Sequence, residues 1–129
     1  MSIIVHTARM QPNLADWLDI TRKGAEERPE PGGHRGIGAA FAPSRRLLNT
    51  YLRQRTQDGL TDQQWLAYAD AYKVEMRRSY VALRHAWDRL LSWEHVVCTC
   101  YCRDPTQCHR TILAREIMPK LGAKYMGEL

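Results

Sequence analysis

The fold of this chain is indicated most clearly by residues 95–110, which read His95-Val96-Val97-Cys98-Thr99-Cys100-Tyr101-Cys102-Arg103-Asp104-Pro105-Thr106-Gln107-Cys108-His109-Arg110. The β-rich run from His95 to Tyr101 predicts a buried strand at the centre of a sheet. Asp104-Pro105 predicts a turn, and the apolar segment from Thr111 to Leu121 predicts a helix that ends at Gly122. A strand that leads through a short loop into a helix is typical of α/β folds.

The remaining elements surround this unit. Three more strands are predicted, from Ser2 to Thr7, from Trp17 to Thr21 and from Ala123 to Met126. Between them, Ser44 is the expected N-cap of one helix, and Thr61 with Gln64 forms the capping box of a second helix, whose apolar stripe continues to Leu90. As one rod the second helix would be about 45 Å long, so we expect a bend, a break or a projecting end.

This order of elements predicts a single α/β domain over residues 1–129: a small Rossmann-like sandwich with a short, mainly parallel sheet and long helices between the strands. The stretch from Gly24 to Ala42 is rich in glycine, proline and charge and is predicted to be a long loop. Two interpretations of that loop stay open, a lid over a ligand site and a surface insertion without a role.

Composition bounds the function. The chain has 129 residues, 44% of them apolar and 26% charged, and its mean hydropathy is −0.51. No apolar run is long enough for a membrane span, and the run from Ser2 to Val5 is too short for a signal peptide, so we expect a cytoplasmic protein without membrane contact. The net charge of +5, with 15 arginines and 4 lysines, is compatible with a phosphorylated partner.

Cysteine, histidine and arginine meet where the predicted loop enters its helix. In a reducing compartment the four cysteines are expected to be thiols. The predicted helix start favours an anion and lowers the pKa of a thiol, so Cys108 and His109 are candidate catalytic residues and Arg110 a candidate anion ligand. The alternative is that Cys108 packs against the strand and Arg110 forms a surface ion pair.

Other roles for the cysteines were weighed against their spacing. Alternating cysteines on a strand place their thiols about 7 Å apart on one face, which does not suit a zinc knuckle, so neither a metal nor another cofactor is expected. A redox pair of Cys102 and Cys108 is an open alternative, although no Cys-x-x-Cys motif supports it. Cys98 and Cys100 are interpreted as small core residues.

The chain also resembles a known family. The run Val97 to Cys102, the triplet Cys108-His109-Arg110 and the closing segment Gly122 to Glu128 are similar to the prokaryotic and phage family called domain of unknown function 488. Leu18 to Gly24 resembles an Asp-Val-Arg strand end in that family, with the basic residue displaced by one position, and Phe41 to Arg45 resembles its Pro-x-Ser-Arg stretch. The resemblance implies a small Rossmann-like domain and leaves the reaction open.

The predicted site residues are assigned to strand ends and helix starts, where α/β sheets build their pockets. They comprise the catalytic candidates Cys108 and His109, the anion ligands Arg22, Ser44, Arg45 and Arg110, and the supporting residues Asp19 and Cys102. Such a set suits a phosphorylated small molecule, a nucleotide or a nucleic-acid end. The expected function is an enzyme acting on that substrate; the alternatives are a non-catalytic phage accessory or regulatory protein and a thiol-based metal or redox sensor.

Overall fold

Four short strands form one sheet in the computed structural model, which describes residues 2–22 and 37–129. They are β1 (Ile4–Arg9), β2 (Trp17–Asp19), β3 (His95–Cys100) and β4 (Lys124–Glu128). Their order is β2-β3-β1-β4, and every neighbouring pair is parallel. The predicted α/β class is therefore confirmed, and the sheet is wholly parallel.

The parallel register brings the carboxyl ends of the strands to one edge of the sheet. Arg9 lies opposite Cys100, Asp19 lies opposite Thr99, and Glu128 lies opposite Thr7. This edge is where open α/β sheets bind ligands.

In the described part of the connection from β2 to β3 there are three α-helices: α1 (Arg45–Gln54), α2 (Asp62–Ala82) and α3 (Arg84–Ser92). The predicted capping box opens α2, since the Thr61 side chain accepts from the Gln64 amide and the Gln64 side chain accepts from the Thr61 amide. The expected break is at Leu83, whose φ of −122° and ψ of 40° are not helical. Leu83 is 39% exposed, so the apolar stripe is interrupted where the chain bends.

A helical segment of three parts, here called the C-terminal helix, connects β3 to β4. It begins with an α-turn at His109–Thr111, continues as a π-helix over Ile112–Ile117 and ends as a 3₁₀ turn over Met118–Leu121. It begins at the Cys108-His109-Arg110 triplet, where the sequence predicts a helix start. Pro119 has no N–H for the helical ladder, and Gly122 ends the segment with a left-handed φ of 97°.

The main core lies between the helices and one face of the sheet. Trp87, Leu90 and Tyr72 fill it from the helices, and Val5 and Cys98 from the strands. A smaller cluster lies apart from this core, and it consists of Ala8, Trp17 and Val97 with Met10 and Leu14. Among the described residues, no helix has both the length and the apolar surface that crossing a bilayer requires.

The predicted long loop is described only from residue 37 onward, and there it is a packed part of the core. Gly38–Phe41 forms a 3₁₀ turn, Phe41 is fully buried, and its carbonyl accepts from the Tyr72 hydroxyl at 2.7 Å. Phe41 also packs edge-on against Trp87, so this end of the predicted loop is fixed to the core. Residues 23–36, on which the lid hypothesis depends, lie outside the described part.

Candidate functional site

Three cysteine side chains meet at the carboxyl edge of the sheet. The sulfur atoms of Cys100, Cys102 and Cys108 all lie within 4.8 Å of one another, and we call this group the thiol cluster. The Sγ atoms of Cys100 and Cys108 are 2.6 Å apart. Cys100 and Cys108 are buried, whereas Cys102 is partly exposed.

The cluster forms because β3 ends at Cys100, so strand alternation does not set the position of Cys102. Asp104 turns the chain by accepting bonds from the amide and hydroxyl of Thr106 at 2.9 and 2.6 Å, and a 3₁₀ turn over Pro105–Gln107 follows. The expectation of thiols about 7 Å apart is therefore wrong for these three residues. The separate interpretation of Cys98 as a core residue is confirmed, since Cys98 is fully buried in the main core.

Hydrogen bonding and burial shift the pKa values of the three thiols in different directions. Bonds from Cys100 and Cys108 lower the pKa of the Cys102 thiol far below its ordinary value. The bond with Cys102 raises the pKa of Cys100 to about 11, and burial raises the pKa of Cys108. The accessible thiol of the cluster is Cys102, whereas the sequence indicates Cys108.

His109 is a neutral, buried residue directly behind the cluster. Burial lowers its pKa, and its Nε2 lies 2.8 Å from the Ile20 carbonyl oxygen, which can only accept. Nε2 therefore carries the proton, and Nδ1 is left as an acceptor 3.9 Å from the Cys108 sulfur. The ring also meets Tyr72 edge-on with 5.5 Å between the ring centres.

Arg110 is not an exposed anion ligand, because its side chain is fully buried and its donors are engaged within the chain. Nε and Nη2 form a two-point ion pair with Glu128 at 3.1 and 2.7 Å. Nη1 donates to the Cys102 carbonyl at 3.0 Å and to the Cys100 sulfur at 3.2 Å. Burial opposes the charge of Arg110, but the bond with Glu128 raises the pKa of the guanidinium above its ordinary value. Arg110 therefore connects β4 to the thiol cluster.

A cavity of about 480 Å³ opens beside the cluster, and we call it the arginine pocket. Arg9 is the last residue of β1, Arg55 follows α1, and Arg103 and Cys102 belong to the loop after β3. The other lining residues are Tyr51, Thr56, Gln57, Asp58, Gly59, Tyr101, Asp104 and Gln107. Three arginines against two aspartates leave the wall with one excess positive charge.

The wall formed by the α1–α2 connection is held in place by Gln107. Its side chain accepts from the Leu60 amide at 2.9 Å and donates to the Leu60 carbonyl at 3.0 Å. Gly59 allows this contact, because its φ is +84° and a Cβ there would lie 2.6 Å from the Gln107 Oε1 atom. The Tyr51 hydroxyl donates to the Gln107 carbonyl at 3.0 Å, so α1 is fixed to the same loop.

The other predicted anion ligands have structural partners and do not line the arginine pocket. Ser44 caps α1 by accepting from the Leu47 amide at 3.2 Å, and its hydroxyl donates to Glu75. Arg22 donates to the Pro43 carbonyl at 3.0 Å. Arg45 is exposed in the first turn of α1.

Asp19 also has a structural role within the chain. Its carboxylate accepts from the amide and hydroxyl of Thr21 at 2.9 and 2.7 Å and shapes the end of β2. Sequence reasoning missed Arg9, Arg55 and Arg103. A signal was available for Arg9 and Arg103, since each lies two residues after a predicted strand.

Two histidines on neighbouring strands, His6 and His95, are hydrogen-bond partners. His6 Nδ1 lies 2.9 Å from His95 Nε2, and His95 Nδ1 lies 3.1 Å from the Asp16 carboxylate. Burial, and then the charge of His95, lower the pKa of His6. This chain of three side chains links β1, β3 and the residue before β2.

Comparison with known proteins gives one family match. The family model described as "Active DUF488-N3 subclade" matches residues 9–121. Neither a curated protein nor a solved structure matches significantly. The matched range contains the arginine pocket and the thiol cluster.

Proposed function

The chain belongs to the DUF488 family, and from the geometry of its site we propose that it binds a phosphate-bearing nucleotide or nucleic-acid end in the arginine pocket and processes it at the thiol cluster. The observation that carries the proposal is the convergence of Arg9, Arg55 and Arg103 with Cys102 on one cavity. Guanidinium groups match phosphate oxygens with paired, directed donors.

The size and the aromatic lining of the pocket support a nucleotide. Its volume of about 480 Å³ lies within the range of small-molecule sites. Tyr101 is 58% exposed on the same wall and offers a face on which a base can stack. The loop that carries Tyr101 also carries Cys102 and Arg103, so base, phosphate and thiol contacts come from three consecutive residues.

Within this proposal the cluster has one accessible member and two buried ones. Cys102 is the group that touches the substrate, in place of the buried Cys108. His109 and Arg110 are positioning residues, since they contact Cys108 and Cys100 from the interior.

Calorimetric titration with nucleoside 5′-phosphates and a 5′-phosphorylated oligonucleotide tests the binding step. A charged hydrogen bond contributes about 1.5–3 kcal/mol, so Arg9→Ala and Arg103→Ala should each weaken binding by about tenfold or more. Arg89→Ala, at an exposed position of α3, is the matched control and should leave binding unchanged. Equal affinity in all four proteins would refute the pocket as the binding site.

The catalytic part is tested separately by analysing products from the ligands that bind. Cys102→Ser should retain binding and lose turnover, and Cys98→Ser, in the buried core, is the control. Binding without any product in the parent would make the protein a binding module and refute the enzyme.

A further inference from the structure

The thiol cluster has the composition and dimensions of a metal site. In tetrahedral zinc sites the zinc–sulfur distance is about 2.3 Å, which places the sulfur atoms about 3.8 Å apart. The three sulfur atoms lie within 4.8 Å of one another. Zinc binding requires the 2.6 Å separation of Cys100 and Cys108 to widen by about 1 Å.

We propose that Cys100, Cys102 and Cys108 bind one zinc ion through three thiolates, with the fourth coordination position facing the arginine pocket. Three protein ligands and one open position are the arrangement of catalytic rather than structural zinc sites. Soft thiolate donors favour zinc over magnesium or calcium, which prefer oxygen.

The surroundings of Cys100 are those of a metal-bound thiolate. Its sulfur accepts from the Cys102 amide at 3.4 Å and from Arg110 Nη1 at 3.2 Å. Donors of this kind stabilise negative charge on sulfur and orient the ligand, as outer-shell groups of metal sites do. Arg110 is itself fixed by Glu128, so the donor is held in place before an ion arrives.

The exposure of the three cysteines determines how a zinc ion enters the cluster and which side its fourth coordination position faces. Cys100 and Cys108 are each 1% exposed and form the closed side of the cluster, whereas Cys102 lies on the pocket wall. An ion therefore enters from the arginine pocket, and a ligand there reaches its free position. As each zinc–sulfur bond forms, any proton on that thiol passes to solvent.

The metal site does not depend on the proposed nucleotide binding. It rests on three sulfur atoms, and the phosphate site rests on arginines from other elements. The two proposals can therefore fail separately. Arg103→Ala should lose nucleotide affinity and keep zinc affinity. Cys102→Ser should lose zinc affinity and keep nucleotide affinity.

The test is zinc titration of reduced, metal-free protein against a chelating dye, with cobalt(II) as a spectroscopic probe. The parent and Cys98→Ser should each bind one zinc ion per chain and show a thiolate-to-cobalt charge-transfer band. Cys102→Ser should bind at least about tenfold more weakly, with a diminished band. Circular dichroism confirms that each variant is folded.

Two results would overturn the zinc proposal. One is a folded, fully reduced parent that takes up no zinc. The other is equal zinc affinity in the parent and in Cys102→Ser. A Cys100–Cys108 disulfide would be visible before reduction as the loss of two hydrogen masses. If the protein binds no zinc after this disulfide is reduced, the proposal is refuted.

Discussion

Replacing Arg110 with alanine should lower the free energy of unfolding by about 3–5 kcal/mol, the cost of breaking a buried ion pair from one side. The Arg110 side chain is fully buried, and the Glu128 side chain is 28% exposed. Water can partly hydrate the orphaned carboxylate, which favours the lower end of the range, whereas the cavity left by the arginine stem adds to the cost. For a domain of this size the loss corresponds to a fall in Tm of about 10–20 °C.

Urea unfolding followed by circular dichroism measures this loss. The matched control is Asp88→Asn, which breaks an exposed ion pair with Arg84 in which both side chains are more than half exposed. The control should change the free energy of unfolding by less than about 0.5 kcal/mol. An equally small change in Arg110→Ala would refute the buried pair and restore Arg110 as a free ligand for anions, as the sequence had indicated.

Three further outcomes follow from the structure. In reduced, metal-free protein, iodoacetamide should label Cys102 first, because it is the exposed member of the cluster, and mass spectrometry showing earlier labelling of Cys98 would contradict this. Gly38→Ala should destabilise the fold, since its Cβ would overlap the Asp19 carbonyl oxygen; an unchanged Tm would be inconsistent with that contact. The pKa of His6 is lowered below 6.5, so the unfolded state binds its proton more readily and stability falls as the pH drops through that value. His6→Asn should therefore lose less stability than the parent between about pH 7.5 and 5.5, and an equal loss would show that His6 does not contribute.

The sequence predicts what depends on local pattern. Thr61 and Gln64 mark the start of α2 because the capping box is formed by neighbouring residues. The strands, the helices and the end at Gly122 follow from periodicity and turn signals, whereas the length of the apolar stripe predicts a break without placing it at Leu83. The family resemblance, now supported by the match over residues 9–121, agrees with the same α/β fold.

The candidate site depends on contacts that no local pattern contains. Arg110 is buried because β4 brings Glu128 to it, 18 residues further along the chain. Arg55 and Arg103 line one pocket because Gln107 binds the backbone of Leu60 across 47 residues. Cys102 joins the thiol cluster because the strand ends two residues earlier, a boundary that periodicity cannot place to one residue.

The most direct test of the central claim is to compare one oligonucleotide with and without its 5′-phosphate, by calorimetry at fixed salt concentration. If Arg9, Arg55 and Arg103 bind a phosphate-bearing end, the phosphorylated form should bind at least about tenfold more tightly, and Arg103→Ala should reduce that difference. Equal affinity of the two forms for the parent protein would contradict phosphate recognition in the arginine pocket.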